Sequence, residues 1–383
     1  MHSLNARLFI LIVSMQFMLR GTPKALDYCI GADLSSLKQQ EDGGAQFKDS
    51  MGVKPGLQMF HQHGYGWIRL RIFYAPTTLP NNQSYTIALA QQAKTAGLKI
   101  LLDFHYSDNW ADPGKQVPPA KWNGLTHAQL VDSVFQYTKN TIAAFRTAGV
   151  LPDMVQIGNE ITPGMLLPDG ATSNWTKLGD LLKASVRGVD SGRGTSIMPL
   201  IMLHIDRGGD QATTKTWFDN ANAQGVPYDV IGQSYYPQWQ GTLANLRTNF
   251  TFMGNTYNKD VIAVEIGLNA YTNSSSGPVP LTNAGQVAFL DSVDRIVRAT
   301  PNGHGKGLMW WEPTNNSLSP GTRCYFDANL LAKPIMYAFD KYATPILTLE
   351  KKGHLSMRSG IFYGVNGRNL QNAGYEKIIV PPR

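Results

Sequence analysis

The sequence is poor in motifs that bind metals or cross-link the chain. It has only two cysteines, Cys29 and Cys324, and neither a C-x-x-C nor an H-E-x-x-H pattern occurs, so the common zinc motifs are excluded. His61 and His63 fit the end of a helix better than a metal site, and we expect no metal and no cofactor. The two cysteines lie near the two ends of the predicted barrel, and whether they form a disulfide stays open because sequence cannot fix their separation.

Blocks of like charge are also missing. The net charge of +7 is spread along the chain without a run of lysine or arginine. This distribution suits solubility or attraction to an acidic matrix, and it argues against binding to nucleic acid.

Long apolar runs are missing after the first 25 residues. Residues 8–19 form the one such run, between a basic start and a small-residue site ending at Ala25. A membrane span needs roughly 17–25 apolar residues, so a cleaved signal peptide over residues 1–25 is favoured over an uncleaved anchor. We therefore expect a secreted, soluble protein with no membrane attachment after cleavage.

The remaining chain alternates between short apolar strands and longer amphipathic helices. Hydrophobic residues make up 43% of the sequence, which is typical of a globular core. Helices are predicted over residues 53–63, 85–95, 126–148, 175–189, 211–224 and 242–257, with one ending near 298 and a closing one near 329–342. Strands are predicted over residues 28–34, 67–73, 98–104, 154–159, 196–204, 229–234, 260–265 and 307–311.

Eight such repeats predict an α/β fold of the (β/α)8 TIM-barrel type over residues 26–342. A doubly wound open sheet is the alternative, but no glycine-rich phosphate loop follows the first strand. Beyond residue 342 the repeat stops. Residues 343–383 are predicted to be a short extension with a strand pair over 360–368 and 375–380, or else a loosely docked tail.

Polar and aromatic residues collect where the predicted strands end, which is where such barrels carry their active sites. Glu160 ends the fourth strand and Glu265 the seventh, so the two carboxylates would face each other across the barrel mouth. Retaining glycoside hydrolysis needs two such carboxylates about 5–5.5 Å apart, one protonated and one ionised. Arg69 or Arg71 on the second strand could keep one of them ionised.

Each of these residues also has a structural interpretation. Glu160 or Glu265 alone could be structural, the two arginines could pair with Asp103 inside the barrel, and His105 could be a satisfied loop residue. Glu312 precedes a proline and is interpreted as shaping its loop. Tryptophans and tyrosines in the loops are harder to explain as core, because their flat faces and polar edges suit sugar rings.

Three segments make a resemblance specific: FHYSDNWADPGKQ at 104–116, QIGNEITPGML at 156–166 and SYYPQW at 234–239. They resemble the signatures of glycoside hydrolase family 53, the arabinogalactan endo-β-1,4-galactanases of clan A. The segments GADLSS at 31–36, RLRIF at 69–73 and WWEP at 310–313 are similar too. The resemblance spans about residues 28–342.

This resemblance implies a retaining, endo-acting glycosidase. It implies that Glu160 is the general acid/base and Glu265 the nucleophile. It also implies a substrate-binding set, to which we add Asp33 from the end of the first strand: Asp33, Arg69, His105, Trp110, Asp112, Asn159, Tyr235 and Trp311. The implied partner is a polysaccharide, the galactan side chains of pectin, and we expect the protein to act as a monomer.

The sequence departs from the family after Glu265, where IGLNAYT replaces the usual small residue and aromatic-proline stretch. Residues 268–280 are short and lack aspartate, so we expect no calcium site there. Two alternatives stay open: hydrolysis of another β-1,4-glycan (mannan, xylan or glucan), and a non-catalytic barrel that binds polysaccharide.

Overall fold

Eight parallel strands close into a barrel in the computed structural model, which describes residues 26–78, 80–269, 279–315, 323–343, 348–349 and 355–356. Each strand pairs with its neighbours in chain order, and the last pairs with the first, so the predicted (β/α)8 barrel is confirmed. The strands are β1 (Cys29–Asp33), β2 (Trp67–Ile72), β3 (Lys99–Phe104), β4 (Met154–Ile157), β5 (Leu200–Ile205), β6 (Val230–Tyr235), β7 (Asp260–Ile266) and β8 (Gly305–Trp310).

Amphipathic helices follow the strands and cover the outer face of the barrel. Polar N-caps start most of them; Thr126, for example, forms a capping box with Gln129. The helices are α1 (Gly56–Gln62), α2 (Gln83–Thr95), α3 (His127–Thr147), α4 (Trp175–Arg193), α5 (Gln211–Ala223), α6 (Leu243–Thr256), α7 (Asn283–Arg298) and a closing 3-10 helix (Pro334–Tyr342).

Two predicted helices begin later than their patterns indicate. The first was expected from residue 53, but Gly52–Val53 pairs with Lys48–Asp49 as a short hairpin. Pro55 then disfavours helical geometry at the preceding residue, and α1 starts at Gly56. The closing helix was expected from about residue 329; it starts at Pro334, has 3-10 geometry and places the proline in its first turn.

The barrel interior is apolar at its amino-terminal end and polar at its carboxyl end. Trp67 on β2 and Leu101 on β3 belong to a separate buried apolar cluster that also contains Met154 and Met202. Two residues further along each of these strands, the same inward face carries polar side chains: Arg69, Asp103, Gln156 and His204. The change from apolar to polar places the buried charge of the barrel interior next to the barrel mouth.

Cys29 and Cys324 are separate, buried free thiols, which answers the disulfide question. Cys29 lies in the apolar barrel floor, whereas the Cys324 thiol donates to the carbonyl oxygen of Pro313 at 2.9 Å.

Beyond the barrel, Thr348–Leu349 pairs antiparallel with Leu355–Ser356. The strand pair predicted over 360–368 and 375–380 lies outside the described residues, as do residues 1–25 and most of 268–280. Among the helices that are described, none has the length and hydropathy needed to cross a bilayer.

Candidate active site

A cleft of about 510 Å³ opens at the carboxyl ends of the barrel strands. Eight of the ten predicted site residues line it, and Asp33 and Tyr235 do not. Its lining consists of Arg69, Arg71, His105, Trp110, Ala111, Asp112, Pro113, Asn159, Glu160, Asp206, Tyr236, Trp239, Gln240, Glu265, Trp311 and Arg323.

Glu160 reaches the cleft through a tight left-handed turn after β4. Gly158 has φ +77° and Glu160 itself has φ +48°, a conformation that costs a non-glycine residue about 1–3 kcal/mol. A side chain at Gly158 would place its Cβ 2.5 Å from Ile161, so the position requires glycine. Two backbone N–H groups donate to His204 and hold the turn: that of Glu160 to the ring Nδ1 at 3.3 Å, and that of Ile161 to the carbonyl oxygen at 2.9 Å.

Glu265 reaches the cleft because β7 contains one extra residue. Gly232 of β6 is opposite Ile262, but Ser234 is opposite Glu265, so two steps on β6 match three on β7. The same shift occurs against β8. Strict alternation from Ile262 would point Glu265 outward, and the bulge turns it to the interior.

The two glutamates meet at the barrel mouth. One carboxylate oxygen of Glu160 and one of Glu265 lie within 4.8 Å of each other. Carboxylate oxygens this close favour the roughly 5–5.5 Å carboxyl separation of retaining glycosidases over the roughly 6.5–9.5 Å of inverting ones, which must fit a water between the carboxyl groups.

Arg69 is fully buried and uses all five of its N–H groups. Its Nη1 donates to Asp33 Oδ2 at 2.9 Å and to Glu265 Oε2 at 3.2 Å. Its Nη2 donates to Asp103 Oδ2 at 2.8 Å and to Asn159 Oδ1 at 2.7 Å, and its Nε donates to Gln156 at 3.2 Å. Both interpretations of this arginine are therefore correct, since it pairs with Asp103 inside the barrel and also contacts one of the two glutamates.

Glu160 and Glu265 have different electrostatic surroundings. Burial raises the pKa of Glu265, but the Arg69 charge and a hydrogen bond from Tyr236 oppose that rise. The pKa of Glu160 is raised well above its usual value, first by burial and then by the nearby charges of Glu265 and Asp206. The shared site therefore favours a proton on Glu160 and a negative charge on Glu265.

His204 completes the surroundings of Glu160. Its Nε2 lies 2.8 Å from the Ser234 hydroxyl oxygen, which lies 2.6 Å from Glu160 Oε1. Donor atoms of Glu160, His204 and Glu265 lie within 4.8 Å of one another, close enough to suggest a metal ion. Both His204 nitrogens are already engaged, with Gln156 and Glu160 on one side and Ser234 on the other, so the cluster fits a hydrogen-bonded arrangement better.

Asp33 lies behind the cleft, where it holds two arginines. It accepts a hydrogen bond from Arg69 at 2.9 Å and forms an ion pair with Arg71 at 3.0 Å. Arg71 also pairs with the buried Glu312, which accepts from Ser36 at 2.6 Å. Asp33 is only 1% exposed and cannot contact a substrate directly.

The prediction that Tyr235 lines the cleft is wrong, and its neighbour Tyr236 lines the cleft instead. Tyr235 points out of the barrel, donates to the Gly241 carbonyl oxygen at 2.9 Å and stacks on Phe289. Tyr236 lines the cleft and donates to Glu265 Oε1 at 2.7 Å. Alternation along β6 could have found this, because Ser234 and Tyr236 share a face.

Aromatic rings form the walls of the cleft. Trp110 lies against Trp311 with ring centroids 6.3 Å apart, and Arg71 lies 4.4 Å from the Trp110 centroid. Trp239 stands at the rim with 68% of its surface exposed. The guanidinium of Arg323, which sequence reasoning missed, lies 4.5 Å from the Trp311 ring centroid.

The loop after β3 is tied to the site by three polar residues. The Ala111 N–H donates to His105 Nδ1 at 2.9 Å, which leaves the proton of a neutral His105 on Nε2, 3.1 Å from Asp103. Asn159 Nδ2 donates to the Ala111 carbonyl oxygen at 2.7 Å. Asp112 accepts from the Gly114 N–H at 2.8 Å, which closes the turn beside the cleft.

Comparison with known proteins places these features in one family. The sequence profile of glycosyl hydrolase family 53 matches residues 29–349. An uncharacterized protein of Niallia circulans is 37% identical over 75% of this chain and 83% of its own length. An arabinogalactan endo-beta-1,4-galactanase of Thermothelomyces thermophilus is 34% identical over 74% of this chain and 88% of its own. A solved fungal beta-1,4-galactanase is 32% identical, with a TM-score of 0.77 over 83% of this chain and 100% of that one.

Proposed function

Since the chain belongs to glycosyl hydrolase family 53, we propose that it is a retaining endo-β-1,4-galactanase acting on galactan and type I arabinogalactan. The observation that carries this proposal is the pair Glu160 and Glu265, whose carboxylate oxygens come within 4.8 Å. The names of the fungal relatives supply the sugar, and the carboxylate pair supplies the reaction type.

In the first step, a Glu265 carboxylate oxygen attacks the anomeric carbon while Glu160 protonates the departing glycosidic oxygen. The bond from the anomeric carbon to that oxygen breaks, and a glycosyl ester of Glu265 forms. Arg69 and Tyr236 hold Glu265 ionised and oriented before attack. In the second step, Glu160 takes a proton from water as the water attacks the same carbon, and Glu265 leaves as a carboxylate.

The remaining cleft residues bind the sugar chain. Asn159 uses one amide N–H on Ala111, and the other is available for a sugar hydroxyl. Trp110 and Trp311 offer ring faces to pyranose rings, and His105 and Asp112 shape the adjoining loop. Asp33 acts indirectly through the arginines. We also propose that residues 1–25 direct export and that the enzyme works as a monomer.

Release of reducing ends from β-1,4-galactan, compared with β-1,4-mannan, xylan and glucan, tests the substrate. We expect activity on galactan, with short oligosaccharides as products, and none in the Glu265→Ala variant. Activity confined to another glycan would reassign the substrate within the same mechanism. Binding to galactan without turnover would indicate a non-catalytic barrel.

A further inference from the structure

A chain of three hydrogen-bonding side chains ends on one oxygen of Glu160. Gln156 Nε2 lies 3.0 Å from His204 Nδ1, and His204 Nε2 lies 2.8 Å from Ser234 Oγ. Ser234 Oγ lies 2.6 Å from Glu160 Oε1. Gln156, His204 and Ser234 are completely buried, so this chain is shielded from solvent.

The direction of the chain follows from groups that can only donate. The Glu160 backbone N–H points at His204 Nδ1, so that nitrogen must accept. Arg69 Nε donates to Gln156 Oε1, which turns the Gln156 amide nitrogen toward the same Nδ1. A neutral His204 then carries its proton on Nε2 and donates to Ser234, whose single hydrogen is left for Glu160 Oε1.

We propose that His204 and Ser234 are positioning residues that keep Oε1 of Glu160 as an acceptor and so assign the transferable proton to Oε2. The inference rests on the proposed role of Glu160 as acid/base. When Oε2 gives its proton to the glycosidic oxygen, negative charge spreads to Oε1, and the Ser234 hydrogen bond strengthens. The interaction is therefore stronger in the transition state than in the ground state.

Four other groups face Glu160 and set the background against which Ser234 acts. Glu265 and Asp206 raise the pKa of Glu160 and Arg69 lowers it, while Tyr236 contacts the Glu265 side of the pair. Burial lowers the pKa of His204, with the Arg69 charge acting in the same direction, so His204 stays neutral. Ser234→Ala removes one donor and leaves all of these in place.

The Ser234→Ala variant tests the proposal with two substrates. On galactan we expect kcat/KM to fall about 10–100-fold, because a hydrogen bond to a developing charge is lost. The alkaline limb of the kcat/KM profile should move up by about one pH unit, since the ionised form of Glu160 has lost a donor. Release of dinitrophenolate from an aryl β-galactobioside, which needs no acid, should stay within about threefold of wild type.

Controls separate positioning from folding. Ser185→Ala removes an equally buried hydroxyl on α4 and should leave the substrate ratio and the pH limb unchanged. His204→Gln keeps an N–H donor toward Ser234 and should retain more galactan activity than His204→Ala. Both substrates are assayed in one preparation, so their ratio does not depend on the folded fraction.

A substrate-free readout keeps this inference distinct from the proposed function. The sequence has only six glutamates, so a carboxyl-13C NMR titration can follow Glu160 directly. The Glu160→Gln variant, which lacks that carboxyl signal, assigns it. We expect the midpoint to rise in Ser234→Ala. Equal losses of activity on both substrates, with an unmoved pH limb and an unmoved NMR midpoint, would overturn the proposal. A wild-type protein that is inactive on galactan would overturn only the assignment of galactan as substrate.

Discussion

Arg69 Nη1 donates to Glu265 Oε2 at 3.2 Å and, from the same nitrogen, to Asp33 Oδ2 at 2.9 Å. One buried guanidinium thus ties the candidate nucleophile on β7 to the carboxylate that ends β1. Because an arginine fork is planar and always charged, it fixes the orientation of Glu265 as well as its ionisation.

Replacing Arg69 by lysine should therefore reduce both activity and stability, although the positive charge is kept. Lysine has three donors where Arg69 makes five hydrogen bonds, so at least two acceptors lose their partner. We expect kcat/KM on galactan to fall at least about 100-fold and the Tm to drop, as is typical when a buried ion pair is broken at a cost of about 3–5 kcal/mol. Arg295→Lys, at an exposed pair on α7, is the control and should change neither. Wild-type activity in Arg69→Lys would show that the fork is not needed.

Tyr236→Phe should move the acidic limb of the kcat/KM profile. The Tyr236 hydroxyl stabilises ionised Glu265 and so lowers its pKa. Without that donor the pKa of Glu265 rises, and activity should be lost at a higher pH on the acid side, with kcat/KM reduced about 10-fold. Tyr235→Phe removes a hydroxyl that donates to the Gly241 carbonyl oxygen, away from Glu265, and should leave the limb in place. If the acidic limb lay at the same pH in both variants, Tyr236 would have no part in setting the pKa of Glu265.

Removing each glutamate should have a different chemical consequence. Glu265→Ala should abolish turnover of every substrate. Glu160→Ala should still form the glycosyl ester from an aryl glycoside with a good leaving group, and added azide should then restore rate and give a β-glycosyl azide. Product analysis by NMR checks this. If azide instead rescued Glu265→Ala with inverted product, the two roles would be exchanged.

His63 should make stability depend on pH. It is buried between Asp340 at 2.6 Å and Asp49 at 3.2 Å, with Lys54 paired to Asp49 and the Tyr337 ring against its face. Burial opposes its charge, but the two aspartates prevail and raise the pKa of His63. A raised folded-state pKa gives stability that is complete below the unfolded value of about 6.5 and is lost as pH rises through the folded value.

The Tm difference between wild type and His63→Gln should therefore be largest below about pH 6 and shrink as the pH rises above it. Asp340→Asn, which removes one of the two carboxylates, should reduce this pH dependence without abolishing it. A Tm difference that stays constant across this range would contradict the interpretation.

The barrel and most of its site could be predicted because they depend on local pattern. Continuous apolar strands, helix caps and polar residues at strand ends are visible in the sequence, and they placed Glu160, Arg69 and Asn159 near each other. The direction of single side chains was harder. The family resemblance points to Tyr235 although strand alternation favours Tyr236, and Asp33 at the end of β1 contacts the two arginines rather than the cleft.

The orientation of Glu265 could not be predicted from strand periodicity at all. Alternation along β7 points Glu265 outward, and only the extra residue relative to β6 and β8 brings it to the cleft. A bulge of this kind depends on how β7 pairs with both of its neighbours, so the sequence of β7 alone does not predict it. The Ser234–His204 contact likewise joins two strands and depends on a register that the sequence does not show.

The most direct test of the account is to trap the glycosyl ester. Wild-type protein is incubated with a dinitrophenyl 2-deoxy-2-fluoro-β-galactobioside, whose fluorine slows breakdown of the ester, and the digested protein is analysed by mass spectrometry. We predict one disaccharide label, on the peptide that contains Glu265 and on that residue. A label on Glu160 or Glu312, or normal turnover that releases the α-anomer first, would contradict a retaining mechanism with Glu265 as nucleophile.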